Sequence, residues 1–81
     1  MSRDSEWEFV GAGPDGQSFT IEGLDVWKHE WTDTKERAHV KDPRYHQDFT
    51  FHVWEIRSAD RVVTFAAGEF SNCMWGFYVR K

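Results

Sequence analysis

Three stretches in the second half of the chain decide its fold: Phe49-Thr-Phe-His-Val-Trp-Glu-Ile-Arg57, Arg61-Val-Val-Thr-Phe-Ala-Ala67 and Cys73-Met-Trp-Gly-Phe-Tyr-Val79. All three are rich in aromatic and β-branched residues, which favour strands. Two short connections, Ala59-Asp60 and Ser71-Asn72, separate them. The pattern therefore predicts an antiparallel three-strand meander over about 48–58, 61–69 and 73–80.

The first half of the chain gives weaker signals. A strand is predicted from Trp7 to Val10, and Asp15-Gly16 is typical of a hairpin turn leading to a second strand at 18–22. Residues 24–41 fit either a strand or a helix. We expect a strand to about residue 31 and a short helix or irregular segment at 33–41, where Asp33 and Glu36 fit a capping box.

Length and composition set the fold class. A chain of 81 residues makes a single domain, 1–81, and buries only about 60–65% of its unfolded surface. Five tryptophans and seven phenylalanines supply large rings for a dense core. We expect a mainly β fold, in which a small antiparallel sheet of 5–6 strands curls into a sandwich or partly open barrel. The alternative is an α+β fold with a helix packed on the sheet.

The predicted meander has two apolar faces. If each turn has two residues, Val53, Ala66 and Phe77 form one row of a core face, where small residues oppose large ones. The opposite face is also apolar, and its members are Trp54, Ile56, Val63, Phe65, Met74 and Tyr78. Leaving such a face in water would forgo several kcal/mol of burial, at about 1.5–3 kcal/mol per side chain. The rest of the chain, a second subunit or a ligand must cover it.

A hollow is predicted on this second face, in the row of His52, Ala67 and Gly76, because two of the three side chains are small. Apolar hollows with a few polar groups at the edge are the usual form of small-ligand sites. The predicted ligand-binding residues are His52, Trp54, Phe65, Ala67, Glu69, Met74, Gly76 and Tyr78. The alternative is that Trp27, Trp31 or the 33–41 segment fills the hollow.

Catalytic and metal chemistry receive little support from the sequence. His52 and Glu69 are weak candidates for an acid–base pair on the second face. Cys73 is predicted on the core face as a small buried hydrophobe. The four histidines match no metal-ligand spacing, and Gly11-x-Gly13-x-x-Gly16 is followed by a strand pattern and not by the helix of a dinucleotide site. We expect no metal and no cofactor.

The charge pattern bears on partners and location. The net charge is −4 with a pI near 5.4, and acidic residues interrupt the weakly basic segment 35–44, so a nucleic-acid partner is not expected. No apolar run approaches the roughly 18 residues of a membrane span. The single cysteine allows no intramolecular disulfide, and the polar N-terminus lacks a signal-peptide pattern. These features predict a cytoplasmic protein.

Three functions remain open at this point. The leading expectation is an interaction domain that buries the second face against its own copy, as a homodimer. The alternative is a module that binds a small organic ligand in the hollow near His52. The least favoured is an enzyme that uses His52 and Glu69, for which the sequence indicates no reaction class.

Overall fold

The chain folds into a mainly β structure. The computed structural model describes residues 6–44, 46–71 and 73–81. Within these ranges it has strands joined by turns, one short 3₁₀ turn and no α-helix. The strands are β1 (Trp7–Pro14), β2 (Thr20–Ile21), β3 (Leu24–Asp25), β4 (Thr32–Lys41), β5 (Asp48–Arg57), β6 (Val62–Ser71) and β7 (Met74–Arg80), and the 3₁₀ turn is Val26–Lys28.

The long strands form one antiparallel sheet in the order β1-β7-β6-β5-β4, while β2 and β3 make a separate two-stranded hairpin. The large sheet is strongly curled, since Trp7 of β1 shares a buried cluster with Ala38 and Val40 of β4. The two edge strands approach each other without pairing, so the sheet does not close into a barrel. This confirms the predicted mainly β fold of a curled antiparallel sheet.

The predicted C-terminal meander is confirmed as β5, β6 and β7. The register between β5 and β6 is also as predicted, with Val53 opposite Ala66 and Trp54 opposite Phe65. The register between β6 and β7 is shifted by one residue, because Ala66 faces Tyr78 where Phe77 was expected.

A β-bulge between Glu69 and Ser71 causes this shift. A bulge places one extra residue in one strand, here Phe70, and a one-residue change of register moves every later side chain to the other face. Tyr78 therefore lies on the face of Val53, and Phe77 lies on the face of Phe65. The predicted placement of β7 side chains was wrong. The other half of the expected 71–72 turn, Asn72, lies outside the described residues.

The short helix or irregular segment expected at 33–41 is wrong, because this segment belongs to strand β4 and pairs with β5. Ala38 and Val40 are buried while Arg37, His39 and Lys41 are exposed, which is the alternation of a half-buried strand. The Asp33 carboxylate accepts a hydrogen bond from the Lys35 backbone N–H at 2.8 Å, and Lys35 has a φ of 72°. Asp33 thus stabilises an irregularity in the strand and does not cap a helix.

The Asp15-Gly16 signal marks a turn, but the predicted hairpin between two consecutive strands was wrong. The Gln17 N–H donates to the carbonyl of Pro14, and Gly16 takes a φ of 83°. β1 runs to Pro14 and pairs with β7, whereas β2 pairs with β3. A turn motif sets the local reversal, but long-range pairing decided the partner of β1.

Residues 19–31, the cover segment, lie on the second apolar face of the sheet. The strand predicted for most of this segment is limited to the short β2–β3 hairpin, which the 3₁₀ turn follows. Trp31 packs against the ring of Phe65, with centroids 5.1 Å apart, and its indole N–H donates to the carbonyl of Val26 at 2.6 Å. The second apolar face is therefore covered by the chain itself.

Candidate functional site

The predicted hollow is filled. Ala67 has Phe77 as its neighbour in β7, where Gly76 was expected, and the Phe77 ring stacks on Phe19 of the cover segment with centroids 4.3 Å apart. Gly76 lies on the inner face, which is the face of Val53 and Tyr78 within the curl of the sheet, and the ring of Phe70 packs directly over it. The bulge thus replaces the smallest residue of the row by a phenylalanine.

The predicted ligand-binding residues are consequently divided between the two faces. Trp54, Phe65 and Ala67 lie on the second apolar face, in contact with the cover segment. His52 lies on the same face and is partly exposed. Gly76 and Tyr78 lie on the inner face. Glu69 is exposed opposite Trp75, and Met74 pairs with Ser71 at the start of β7. The structure does not bring these eight residues together around one cavity.

His52 has a carboxylate partner that was not expected. Its Nδ1 lies 3.0 Å from Oδ2 of Asp33, and its ring stacks on Trp54 with centroids 5.4 Å apart. The Lys35 backbone N–H and then the His52 hydrogen bond lower the pKa of Asp33. Glu69 was the predicted acidic partner of His52, but it lies one row farther along this face, opposite Trp75. Asp33 is the carboxylate that contacts His52. The irregularity at 34–36, which has no sequence signature beyond Asp33 itself, brings this carboxylate opposite Trp54.

Tyr78 is an inner-face residue and not a ligand-facing one. It is 2% exposed, and its hydroxyl donates to the carbonyl of Lys41 at 2.9 Å. Burial, followed by the nearby Asp42 carboxylate, raises the pKa of Tyr78 to about 12. This bond connects β7, the last strand in the sequence, to the C-terminal end of β4.

Alkaline pH should destabilise the protein through Tyr78. Because the folded pKa is raised above the usual value of 10.0, the unfolded state loses its proton first. The stabilisation is fully present below pH 10 and is lost as the pH rises through about 12, to a total of about 2–3 kcal/mol at 1.36 kcal/mol per unit. Urea unfolding at a series of pH values would measure it. The Tyr78→Phe variant should lack this dependence, and an unchanged slope in that variant would contradict the assignment.

A cavity formed by described residues lies elsewhere, between the two edge strands. This seam groove has a volume of about 720 Å³, within the range of ligand sites. Its apolar floor includes Trp7, Val40 and Phe49. The polar residues that line it are Glu6, Glu36, Arg37, His39, Lys41, Asp48 and Thr50.

The basic residues of the groove are sorted by the alternation of β4. Arg37, His39 and Lys41 are exposed on its outer side and are called here the outer row. The acidic residues that interrupt them in sequence are turned elsewhere, because Glu36 binds Arg80 and Asp42 is buried. Reading 36–42 as a strand would have revealed this separation, but the helix interpretation concealed it.

Arg80 fastens one end of the groove. Its guanidinium lies over the Trp7 ring, 4.4 Å from the centroid, and reaches Glu6 at 3.3 Å and Glu36 of β4 at 2.8 Å. The backbone N–H of Lys81 also donates to the carbonyl of Glu6 at 2.8 Å. The start of β1 is thus held near β4 by side chains, without the backbone pairing that would close the sheet.

Cys73 is exposed at the turn between β6 and β7, with a φ of 60°, so its predicted burial on the core face was wrong. The extra residue of the bulge moves the turn, and Ser71 pairs with Met74 across it. Among the described residues, no group of three or more His, Cys, Asp or Glu side chains could hold a metal ion. In the same ranges, no helix is long and apolar enough to cross a membrane.

Comparison with protein-family models, with curated proteins and with solved structures gives no match to this chain. The geometry of the seam groove and of the strand edges that line it is therefore what indicates a function.

Proposed function

We propose that this protein is a small binding domain that takes an extended peptide segment of a partner into the seam groove. The observation that carries the proposal is the open sheet, in which β1 pairs only with β7 and β4 only with β5, so that β1 and β4 are the edge strands on either side of the groove. An edge strand offers a row of backbone N–H and C=O groups, and a segment that adds to it gains main-chain hydrogen bonds.

The groove also supplies side-chain contacts. An added strand would place alternate side chains on the inner side, toward Trp7, Val40 and Phe49, and on the outer side, beside the outer row. The backbone bonds would contribute affinity, and burial of apolar side chains on that floor would add to the affinity and set the register.

A homodimer through the second apolar face loses its premise, because the cover segment occupies that face. The small-ligand hypothesis loses its hollow for the same reason. Peptide binding at the edge of the sheet needs neither a bare second face nor the hollow.

The test is selection of linear peptides from a random-sequence display library, followed by mapping of backbone amide NMR shifts. We expect bound peptides to shift the amides of 36–41 and 48–50 and to leave those of the cover segment unchanged. Phe49→Ala should weaken binding about tenfold by removing part of the floor, a loss of about 1.4 kcal/mol. Val62→Ala removes a side chain exposed on β6 and serves as the control. Peptides that bind the cover segment, or a selection that returns none, would overturn the proposal.

A further inference from the structure

Given the proposed function, the chemistry of the outer row limits which peptide segments the groove can bind. Arg37, His39 and Lys41 are all hydrogen-bond donors when protonated, and they project from one side of the edge strand at alternate positions. From this spacing we infer that the groove selects an extended segment that alternates apolar residues with acidic ones. The apolar residues would face the floor, and the acidic residues would lie beside the outer row.

The protein has a net negative charge, but an acidic segment beside β4 would lie closer to the outer row than to the carboxylate of Asp48. Side chains directly opposite on neighbouring strands have Cβ atoms about 4.5–5.5 Å apart. The carboxylate of Asp48, which pairs with Lys41 at 3.5 Å, belongs to β5 and lies one strand farther from an added segment. A segment beside β4 therefore meets the donors first.

The existing ion pairs of the outer row leave it able to bind. Lys41 and Asp48 are both well exposed, and Arg37 reaches Asp33 at 3.6 Å with both side chains in contact with water. Exposed pairs of this kind contribute little to stability, so exchange for a partner carboxylate costs little.

The same row disfavours a second copy of this chain as the occupant. An antiparallel pairing of two β4 strands about His39 would place Arg37 of each copy opposite Lys41 of the other. Like charges directly opposite on paired strands are destabilising, and charged side chains are a common protection of exposed edges against self-association. A different chain with carboxylates at these positions would meet no such repulsion.

The test uses two capped synthetic peptides of about eight residues, a typical strand length, in which valine alternates with glutamate or with lysine. We expect the glutamate peptide to bind at least about tenfold more tightly than the lysine peptide and to weaken with added salt. The amides that shift should be those of 36–41. A third peptide with the same glutamates and valines in two blocks should bind no better than the lysine peptide.

Charge reversal makes the test specific. The double variant Arg37→Glu/Lys41→Glu should lose the glutamate peptide and prefer the lysine peptide. The control Lys28→Glu/Arg57→Glu makes the same change in net charge at exposed positions outside the groove lining and should keep the original preference.

The outcomes separate this inference from the proposed function. If both peptides bind in the groove with equal affinity, the groove binds peptides but the acidic preference is wrong. If neither binds while library peptides do, the inference fails and the proposed function stands. If both double variants change the preference equally, net charge and not the outer row is responsible, and the inference is overturned.

Discussion

Replacing Phe65 by alanine is expected to lower the free energy of unfolding by about 3–5 kcal/mol, the range for truncating a fully buried phenylalanine. Phe65 is 0% exposed, and its ring meets Trp31 at 5.1 Å and Phe77 at 6.2 Å. The truncation therefore leaves a cavity where the cover segment rests on the sheet. Domains have only about 0.05–0.15 kcal/mol of stability per residue, which is about 4–12 kcal/mol for 81 residues, so this variant should lose a large share of its stability.

Urea unfolding followed by tryptophan fluorescence would measure the loss, because Trp31, one of the five tryptophans, lies in this contact. Phe9→Ala is the matched control, since it makes the same truncation at a ring that is 37% exposed. It should cost less than half as much. Equal losses for the two variants would show that Phe65 is not under the cover segment, and the account of the second face would fail.

Gly68→Ala is expected to cost about 1–3 kcal/mol through overpacking. A Cβ at Gly68 would lie 2.8 Å from Cγ of Phe51, at the base of its ring and not at a free end. Phe51 is buried inside the curl of the sheet, so its ring cannot move aside without disturbing Val53 and Tyr78 in the same cluster. The Phe51 ring can therefore pack in this position only because Gly68 has no Cβ.

Two further variants isolate this contact. Gly13→Ala is the control, because a Cβ there meets nothing within 4 Å, and it should change stability by about 0.5 kcal/mol or less. In the Phe51→Leu background, Gly68→Ala should cost less than it does alone, because the smaller side chain leaves room for the added methyl group. If Gly13→Ala and Gly68→Ala cost the same, backbone effects and not the Phe51 ring would explain both.

Contacts between large rings and glycines on the inner face also position the edges of the seam groove. On the inner face, the Phe51 and Phe70 rings fill the space above Gly68 and Gly76, so large rings fit within the curl of the sheet. The same curl brings Trp7 of β1 into the cluster of Ala38 and Val40 of β4. Packing of the inner face therefore positions the two edges that line the seam groove.

Much of the fold could be predicted from local pattern. The aromatic and β-branched stretches predicted three C-terminal strands, and the short connection at 59–60 predicted the pairing of Val53 with Ala66. The excess of apolar residues on both faces correctly required a cover. Trp27 and Trp31, considered as the filling of the hollow, do form part of that cover.

The candidate site was harder to predict than the fold. Its expected residues depended on counting across β6 and β7, and the single extra residue at Phe70 moved Gly76 and Tyr78 to the other face. The acid partner of His52 was assigned to Glu69, but the structure places Asp33 there. The seam groove joins residues from the two ends of the sheet, so no short sequence window contains it.

Composition and alternation determined that this protein is mainly β, that its C-terminal half is an antiparallel meander, and that both faces of the sheet need burial. Tertiary structure decided the register of β7, the strand at 32–41, the cover of the second face and the opening between β1 and β4. The physical reason is that alternation assigns side chains to faces only within one uninterrupted strand. Bulges and strand partners depend on which rings and small residues meet in three dimensions.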